Sequence, residues 1–239
     1  MLCDVMLDVR KFEFLTFDCY GTLVDWETGI LRALRPVLAA HLAEVPPDDN
    51  LLDLYGAIEA EIEAGPYRSY REVLQQLVRD FGARLNFVPT TEQTLSLPES
   101  LPTWPPFPDT VEALQRLAQR YKLVIISNVD DDLFAGTARQ LGVQFADVIT
   151  AQQAHSYKPS LNNFRLAVDR LGVPADRVLH VAQSLYHDIA PAKQFGLATV
   201  WVNRRKGKPG RGATPVGSAV PDLEVPDLKT LAEMSLVYH

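Results

Sequence analysis

The sequence predicts an α/β fold, a parallel sheet covered by helices and interrupted once by a purely helical insertion. Two observations carry this. From residue 107 onward, short apolar β-rich runs alternate with segments whose apolar residues recur at helical spacing. Residues 25 to 106, by contrast, hold amphipathic helical patterns and no convincing strand.

At least five strands are expected. The first is the apolar run that ends at Asp18, and the others are "KLVIISN" (122–128), "DVIT" (147–150), "RVLHVA" (177–182) and "ATVWVN" (198–203). Between them, "DTVEALQRLAQR" (109–120), "DDLFAGTARQLG" (131–142) and "LNNFRLAVDRLG" (161–172) read as helices, with Gly142 and Gly172 where a helix should stop. In the insertion, "TGILRALRPVLAAHLAE", "NLLDLYGAIEAEIEA" and "SYREVLQQLVRDFG" are amphipathic, separated by Pro46-Pro47 and Gly65-Pro66. The Pro-rich stretch 96–109 reads as the return linker. The expected organisation is a core of residues 1–24 and 107–239 with a helical cap of residues 25–106.

Composition narrows the function. At 239 residues and 47% hydrophobic content the chain can bury a full core. A net charge of -7 argues against nucleic acid as the main partner, because phosphate binding needs a clustered cationic surface. It does not forbid a small anionic substrate, which one or two local cations can hold. Asp4 and Asp8 break the apolar N-terminus before a signal-peptide core forms, and no run is long enough to span a bilayer. Cys3 and Cys19 support no disulfide framework, so a reduced, cytoplasmic setting is expected. The basic segment 204–217 reads as a solvated loop, with an anion-attracting rim as the sharper alternative.

Ligands of open parallel sheets bind beyond the carboxyl ends of the strands. There the sequence places Asp18; Ser127 with Asn128; Lys158 in "HSYKPS"; and Ser184 with Asp188 in "AQSLYHD". One aspartate at a strand end is an ordinary turn residue. A carboxylate, a hydroxyl with an amide, a lysine and a second carboxylate in separate strand-end loops form a much stronger combination.

"FDCYGTLVD", "IISN", "YKPS" and "VAQSLYHDIAPAKQFGLATVWVNR" together resemble the four motifs of the haloacid dehalogenase superfamily, in order and across residues 12–204. The resemblance implies a Rossmann-like core with a cap inserted after the first motif, and Asp18 as a covalent nucleophile. Phosphatases of the superfamily carry a second aspartate two residues after the nucleophile, where Tyr20 stands here, and a further acid where Gln183 stands. A neutral phenol does not replace a carboxylate around Mg²⁺. The type II 2-haloacid dehalogenase branch, whose first motif has the Asp-x-Tyr-Gly-Thr form, is the better match, and it calls for no metal and no cofactor.

The expected chemistry is attack of Asp18 on the halogen-bearing carbon, then hydrolysis of the aspartyl ester to a 2-hydroxy acid. Haloacetates, fluoroacetate among them, suit a compact pocket. Lys158 is expected beside the nucleophile, where an ammonium lowers a carboxylate pKa by about 1 to 3 units, and Asp188 is expected to pair with Lys158 and orient the hydrolytic water. Thr22 supports the Asp18 rotamer. Ser127, with backbone amides of the loop that begins at Cys19, faces the substrate carboxylate; Tyr20 and Ser184 line the pocket, and Asn128 lies near the departing halide.

The cap arginine that receives halide in the best-known 2-haloacid dehalogenases has no counterpart in "NLLDLYGAIEAEIEA". Arg68 is expected in that role ahead of Arg71, which can pair with an acid on its helix surface. His187 is expected as a donor to fluoride or a pocket wall, and His180 as a satisfied core residue. Other readings are hydrolysis at another activated carbon alpha to a carboxylate, a phosphatase with an altered metal site, and a non-catalytic binding protein. Small-molecule recognition, no membrane partner and a possible homodimer complete the expectations.

Overall fold

The computed structural model describes residues 7–207 and 212–236; Cys3 with the start of the N-terminal apolar stretch, and residues 208–211 of the basic segment, lie outside them. Six strands form one parallel sheet: β1 (Phe14–Phe17), β2 (Lys122–Ser127), β3 (Asp147–Thr150), β4 (Val178–Ala182), β5 (Ala198–Val202) and β6 (Leu223–Val225). Their order is β3-β2-β1-β4-β5-β6, with β1 between β2 and β4. The first five occupy the five apolar runs. The sixth was not among the runs named from the sequence, because "LEV" is too short to show a period.

After β1 the chain leaves the sheet for α1 (Trp26–Ala39), α2 (Asp48–Glu63) and α3 (Tyr70–Leu85). Asp25 caps α1 by accepting from the Thr28 amide, and a capping box between Ser69 and Glu72 starts α3. The return stretch is more than a linker. It folds into α4 (Thr91–Thr94), α5 (Ser96–Ser100) and a 3₁₀ turn (Leu101–Thr103), because Leu97, Leu101 and Trp104 all find apolar cover. The outgoing and returning chains cross side by side, Asp25 donating to the Pro105 carbonyl at 2.8 Å and Phe107 to that of Leu23 at 3.0 Å.

Both faces of the sheet are covered, as the near-continuous apolar strands require. Leu15, Phe17, Ile125 and Val181 face α6 (Thr110–Leu117), α7 (Asp131–Leu141) and the last helix; their cluster runs on into the buried stripes of α1 to α3. Phe14, Val124, Ile126 and Val178 face the other way. A short α8 (Ala151–Ala154) follows β3, and the second face is closed by α9 (Leu161–Leu171) and α10 (Ala190–Phe195) through Phe164, Ala167 and Ala192. The chain's described part ends in α11 (Leu228–Leu236). In the basic segment Arg204 donates to Asp109 and to the Thr22 carbonyl, and Arg205 pairs with Glu27. These arginines are spent on internal partners, which disfavours an anion-attracting rim there.

Among the contacts that tie the insertion to the core, one is centred on a buried carboxylate. Asp130, buried in the loop after β2, accepts from the backbone amides of Tyr70 and Arg71, both at 2.9 Å. A carboxylate at a helix N-terminus satisfies orphan amide donors and meets the positive end of the helix dipole. Asp130→Ala is expected to destabilise the protein by about 1–2 kcal/mol. Urea unfolding would read this as a lower midpoint at unchanged slope; an unchanged midpoint would remove the contact's structural importance.

Candidate active site

The loops after β1, β2 and β4 meet above the sheet because these three strands are neighbours, and the chain turns outward in opposite directions from β1 and β4. Asp18 is the first residue beyond β1, its amide donating to the Val181 carbonyl at 3.1 Å. One carboxylate oxygen accepts from Lys158 Nζ at 2.9 Å and the other from Thr22 Oγ1 at 2.6 Å. The turn at Gly21 makes this possible. Its φ of +93° suits glycine, and a Cβ there would stand 3.0 Å from the Trp26 indole nitrogen.

Lys158 is 2% exposed, and its ammonium has three partners: Asp18, Asp188 at 2.6 Å and the Ile126 carbonyl at 2.8 Å. All three protons are therefore used. Asn128 grips the backbone of Lys158 from both sides, accepting from its amide at 2.7 Å and donating to its carbonyl at 3.1 Å. Burial alone would lower the Lys158 pKa, but the flanking carboxylates of Asp18 and Asp188 hold it above the ordinary lysine value. Asp18 is raised, first by burial and then by Asp188, against the pull of Lys158 and Thr22. Lys158 pulls Asp18 down as expected from the sequence, but desolvation outweighs that pull.

Asp188 moves the opposite way. Burial would raise it, and Lys158 with His180 brings it below the usual carboxylate range. His180 Nε2 lies 3.1 Å from Asp188 and its Nδ1 lies 2.9 Å from Thr16 Oγ1. The sequence reading treated His180 as a satisfied core residue, and it is satisfied; its partner turns out to be the second carboxylate of the site. The parallel register pairs His180 with Thr16.

A cavity of about 40 Å³ lies over Asp18, room for roughly two to four water-sized groups. From the expected set it is lined by Asp18, Tyr20, Ser127, Asn128, Lys158, Ser184, His187 and Asp188. The Ser127 hydroxyl is buried without a hydrogen-bond partner among the described residues. The Tyr20 hydroxyl is engaged 2.9 Å from Thr137 Oγ1, leaving the ring as wall. Ser184 accepts from the His187 amide at 2.8 Å, and burial lowers the His187 pKa to about 4, so that its ring is neutral. Cys19 is buried and its side chain is not part of the lining.

Arg68 does not reach the cavity. It is exposed, and its carbonyl accepts from Tyr157 Oη at 2.8 Å. The physical reason lies two residues further on: Asp130 holds the Tyr70 and Arg71 amides at the start of α3, and it is Tyr70 that lines the cavity. Arg71 pairs on the surface with Asp132 at 2.6 Å. The insertion instead contributes Trp26, Glu59, Glu63 and Tyr70, none of them singled out from the sequence. A signal was present: Glu59 and Glu63 continue the stripe of Leu52, Tyr55 and Gly56, the face that α2 buries.

The residues present do not suit Mg²⁺. Where the family's phosphatases have acids, the Tyr20 hydroxyl is committed to Thr137 and the Gln183 side-chain oxygen accepts from Thr214 at 3.2 Å. The cation between Asp18 and Asp188 is an ammonium.

Glu59 carries a pH signature. Burial raises it from 4.5 to about 7, against hydrogen bonds donated by Tyr70 at 2.8 Å and Tyr55 at 3.0 Å. Between these values the folded state binds more protons than the unfolded one, so stability falls as pH rises through the window. The contribution is roughly 3 kcal/mol at most. Glu59→Gln is expected to remove that component, so that the difference between variant and wild type in unfolding free energy changes between pH 4.5 and 7 and levels off above it. Parallel stability curves would contradict a buried, protonated Glu59.

The sequence model of the haloacid dehalogenase-like hydrolases matches residues 13–196. The chain is 25% identical over 238 residues to a haloacetate dehalogenase, H-2, of Moraxella sp. (strain B), spanning 96% of this chain and 100% of the relative. It is 29% identical over 219 residues to a 5-amino-6-(5-phospho-D-ribitylamino)uracil phosphatase, YigB, of Escherichia coli (strain K12), spanning 82% and 86%. The structure of L-2-haloacid dehalogenase from Xanthobacter autotrophicus with chloropropionic acid covalently bound superposes with a TM-score of 0.78 at 21% identity, covering 93% of this chain and 98% of that one. With a matching model that covers most of its length, and an aspartate, a serine, a lysine and a second aspartate at the ends of one parallel sheet, the chain belongs to the haloacid dehalogenase-like hydrolases.

Proposed function

We propose that this hydrolase removes halide from short 2-haloalkanoic acids, haloacetates included, through an ester on Asp18, with residues 25–106 acting as a cap domain over the site. One observation carries the reading: Asp18 is held by Lys158 and Thr22 while Tyr20 and Gln183 take the places of the acids that a metal-dependent phosphatase uses. The chemistry then needs a carboxylate aimed at carbon. It needs no acid for a poor leaving oxygen.

In this reading Asp18 attacks the carbon that bears the halogen, the carbon–halogen bond breaks with inversion, and the halide leaves with the bonding pair. Ser127, whose hydroxyl has no other partner among the described residues, donates to the substrate carboxylate. Asn128 and the Trp26 indole supply N–H donors on the wall for the departing halide. Water then attacks the ester carbonyl of Asp18, oriented by Asp188, whose second oxygen accepts no bond from the described residues. A 2-hydroxy acid and a proton leave, and the carboxylate is restored. The small volume over Asp18 leaves little room for bulk water beside the ester. No described helix is long and apolar enough to cross a membrane.

Halide release from chloroacetate, fluoroacetate and both 2-chloropropionate enantiomers is expected to survive EDTA and to vanish in Asp18→Asn. Turnover in ¹⁸O-water should place label in the peptide that contains Asp18; label found only in the product would exclude the ester. If instead phosphate esters are cleaved with magnesium and no halide appears, the phosphatase relatives are the better guide.

Lys158→Met is expected to lower kcat by roughly 10²–10³-fold. Because Lys158 is the chief influence that pulls Asp18 down, its loss should also move the acid limb of the kcat/KM profile to higher pH. A limb that stays in place would mean that another group controls it.

A further inference from the structure

The cavity is unusual for one meant to receive a simple anion. Four carboxyl groups line it, those of Asp18, Glu59, Glu63 and Asp188, against the single ammonium of Lys158. That ammonium is saturated by Asp18, Asp188 and the Ile126 carbonyl. Glu59 accepts two tyrosine hydroxyls on one oxygen, and Glu63 has neither a hydrogen bond nor an ion pair among the described residues. Glu59 and Glu63 lie one helical turn apart on the face that α2 turns inward. Glu59 is buried and Glu63 half-buried beside it, and apolar residues would serve better there if packing were their only task.

A second observation points to a ligand spanning this cavity. Ser127, 1% exposed, places a hydroxyl without a partner on the wall formed by the sheet. Trp26, Tyr20 and Tyr70 supply aromatic walls between the two ends, surfaces that favour an organic cation.

We propose that Glu59 and Glu63 form a cation subsite, so that the preferred substrate is a zwitterion with its carboxylate at Ser127 and a protonated amine against α2. This rests on the hydrolytic reading above and names its substrate class: a short acid with the reacting carbon next to the carboxylate and an ammonium one atom further on. In the free protein burial raises both glutamates, and Glu59 raises Glu63 further; a bound ammonium would offset that crowding.

Two substrates of nearly equal size separate the possibilities, 3-amino-2-chloropropanoate and 2-chlorobutanoate, which differ by an ammonium in place of a methyl group. The wild type is expected to favour the amino acid in kcat/KM by about tenfold or more. Glu63→Gln should bring the ratio near unity, and Glu63→Asp, which keeps the charge, should retain part of it. Calorimetric binding of the products, 3-amino-2-hydroxypropanoate and 2-hydroxybutanoate, to the wild type reads the same preference without turnover. Equal binding of the two products, or a ratio that Glu63→Gln leaves unchanged, overturns the subsite. If the amino product binds more tightly but neither chloride is released, the subsite stands and the dehalogenation reading fails.

Discussion

The ammonium of Lys158, held in the dry space between Asp18 and Asp188, is the interaction on which the site depends. Buried charges cost several kcal/mol each unless they are paired and hydrogen-bonded. Here each ammonium proton has an acceptor, one of them the carbonyl of Ile126 inside β2. Removing either carboxylate would leave the lysine with an unmatched donor, and removing the lysine would leave two acids facing each other. The group thus works as a unit, and its shape is set by the strands that carry it.

Sheet order explains why these side chains meet. β1 is central, flanked by β2 and β4, so the loops after three neighbouring strands open onto one point. Asp18 comes from the first, Ser127 and Asn128 from the second, and Ser184 with Asp188 from the third. Lys158 arrives from beyond β3, and Asn128 fixes its backbone through two hydrogen bonds. His180 adds support from within the sheet, joining Thr16 on β1 to Asp188 beyond β4.

Much of this was legible because strand-end chemistry leaves a local pattern. An apolar run followed by Asp18, Ser127 or Lys158 can be read without knowing what it packs against. The insertion was legible as helices, since amphipathic spacing is also local. Its contribution to the site was not, because which face of α2 meets the cavity depends on how the insertion docks, and docking depends on contacts such as Asp130 to the amides of α3. Arg68 has the charge expected of a halide receiver but stands on the wrong side of that docking. Glu59 and Glu63 carried the opposite charge and were passed over, although their stripe position was visible. β6 was hidden for a simpler reason: a three-residue edge strand has no period of its own.

The two halves of the site therefore answer to different constraints. The sheet side is overdetermined, since Asp18 has two donors, Lys158 three acceptors and Asp188 two donors, and small changes there disturb several bonds at once. The insertion side is underdetermined: Glu63 is held by no bond among the described residues, and Glu59 offers one oxygen that no described group engages. The covalent step proposed for Asp18 suits the first half, because such a step tolerates little displacement. The proposed selection falls to the second, where a change of side chain on α2 alters charge without moving Asp18. Under the proposed cation subsite, the acidic wall opposite a saturated lysine would favour ligands that bring their own positive charge, and the same sheet with a different α2 would favour others.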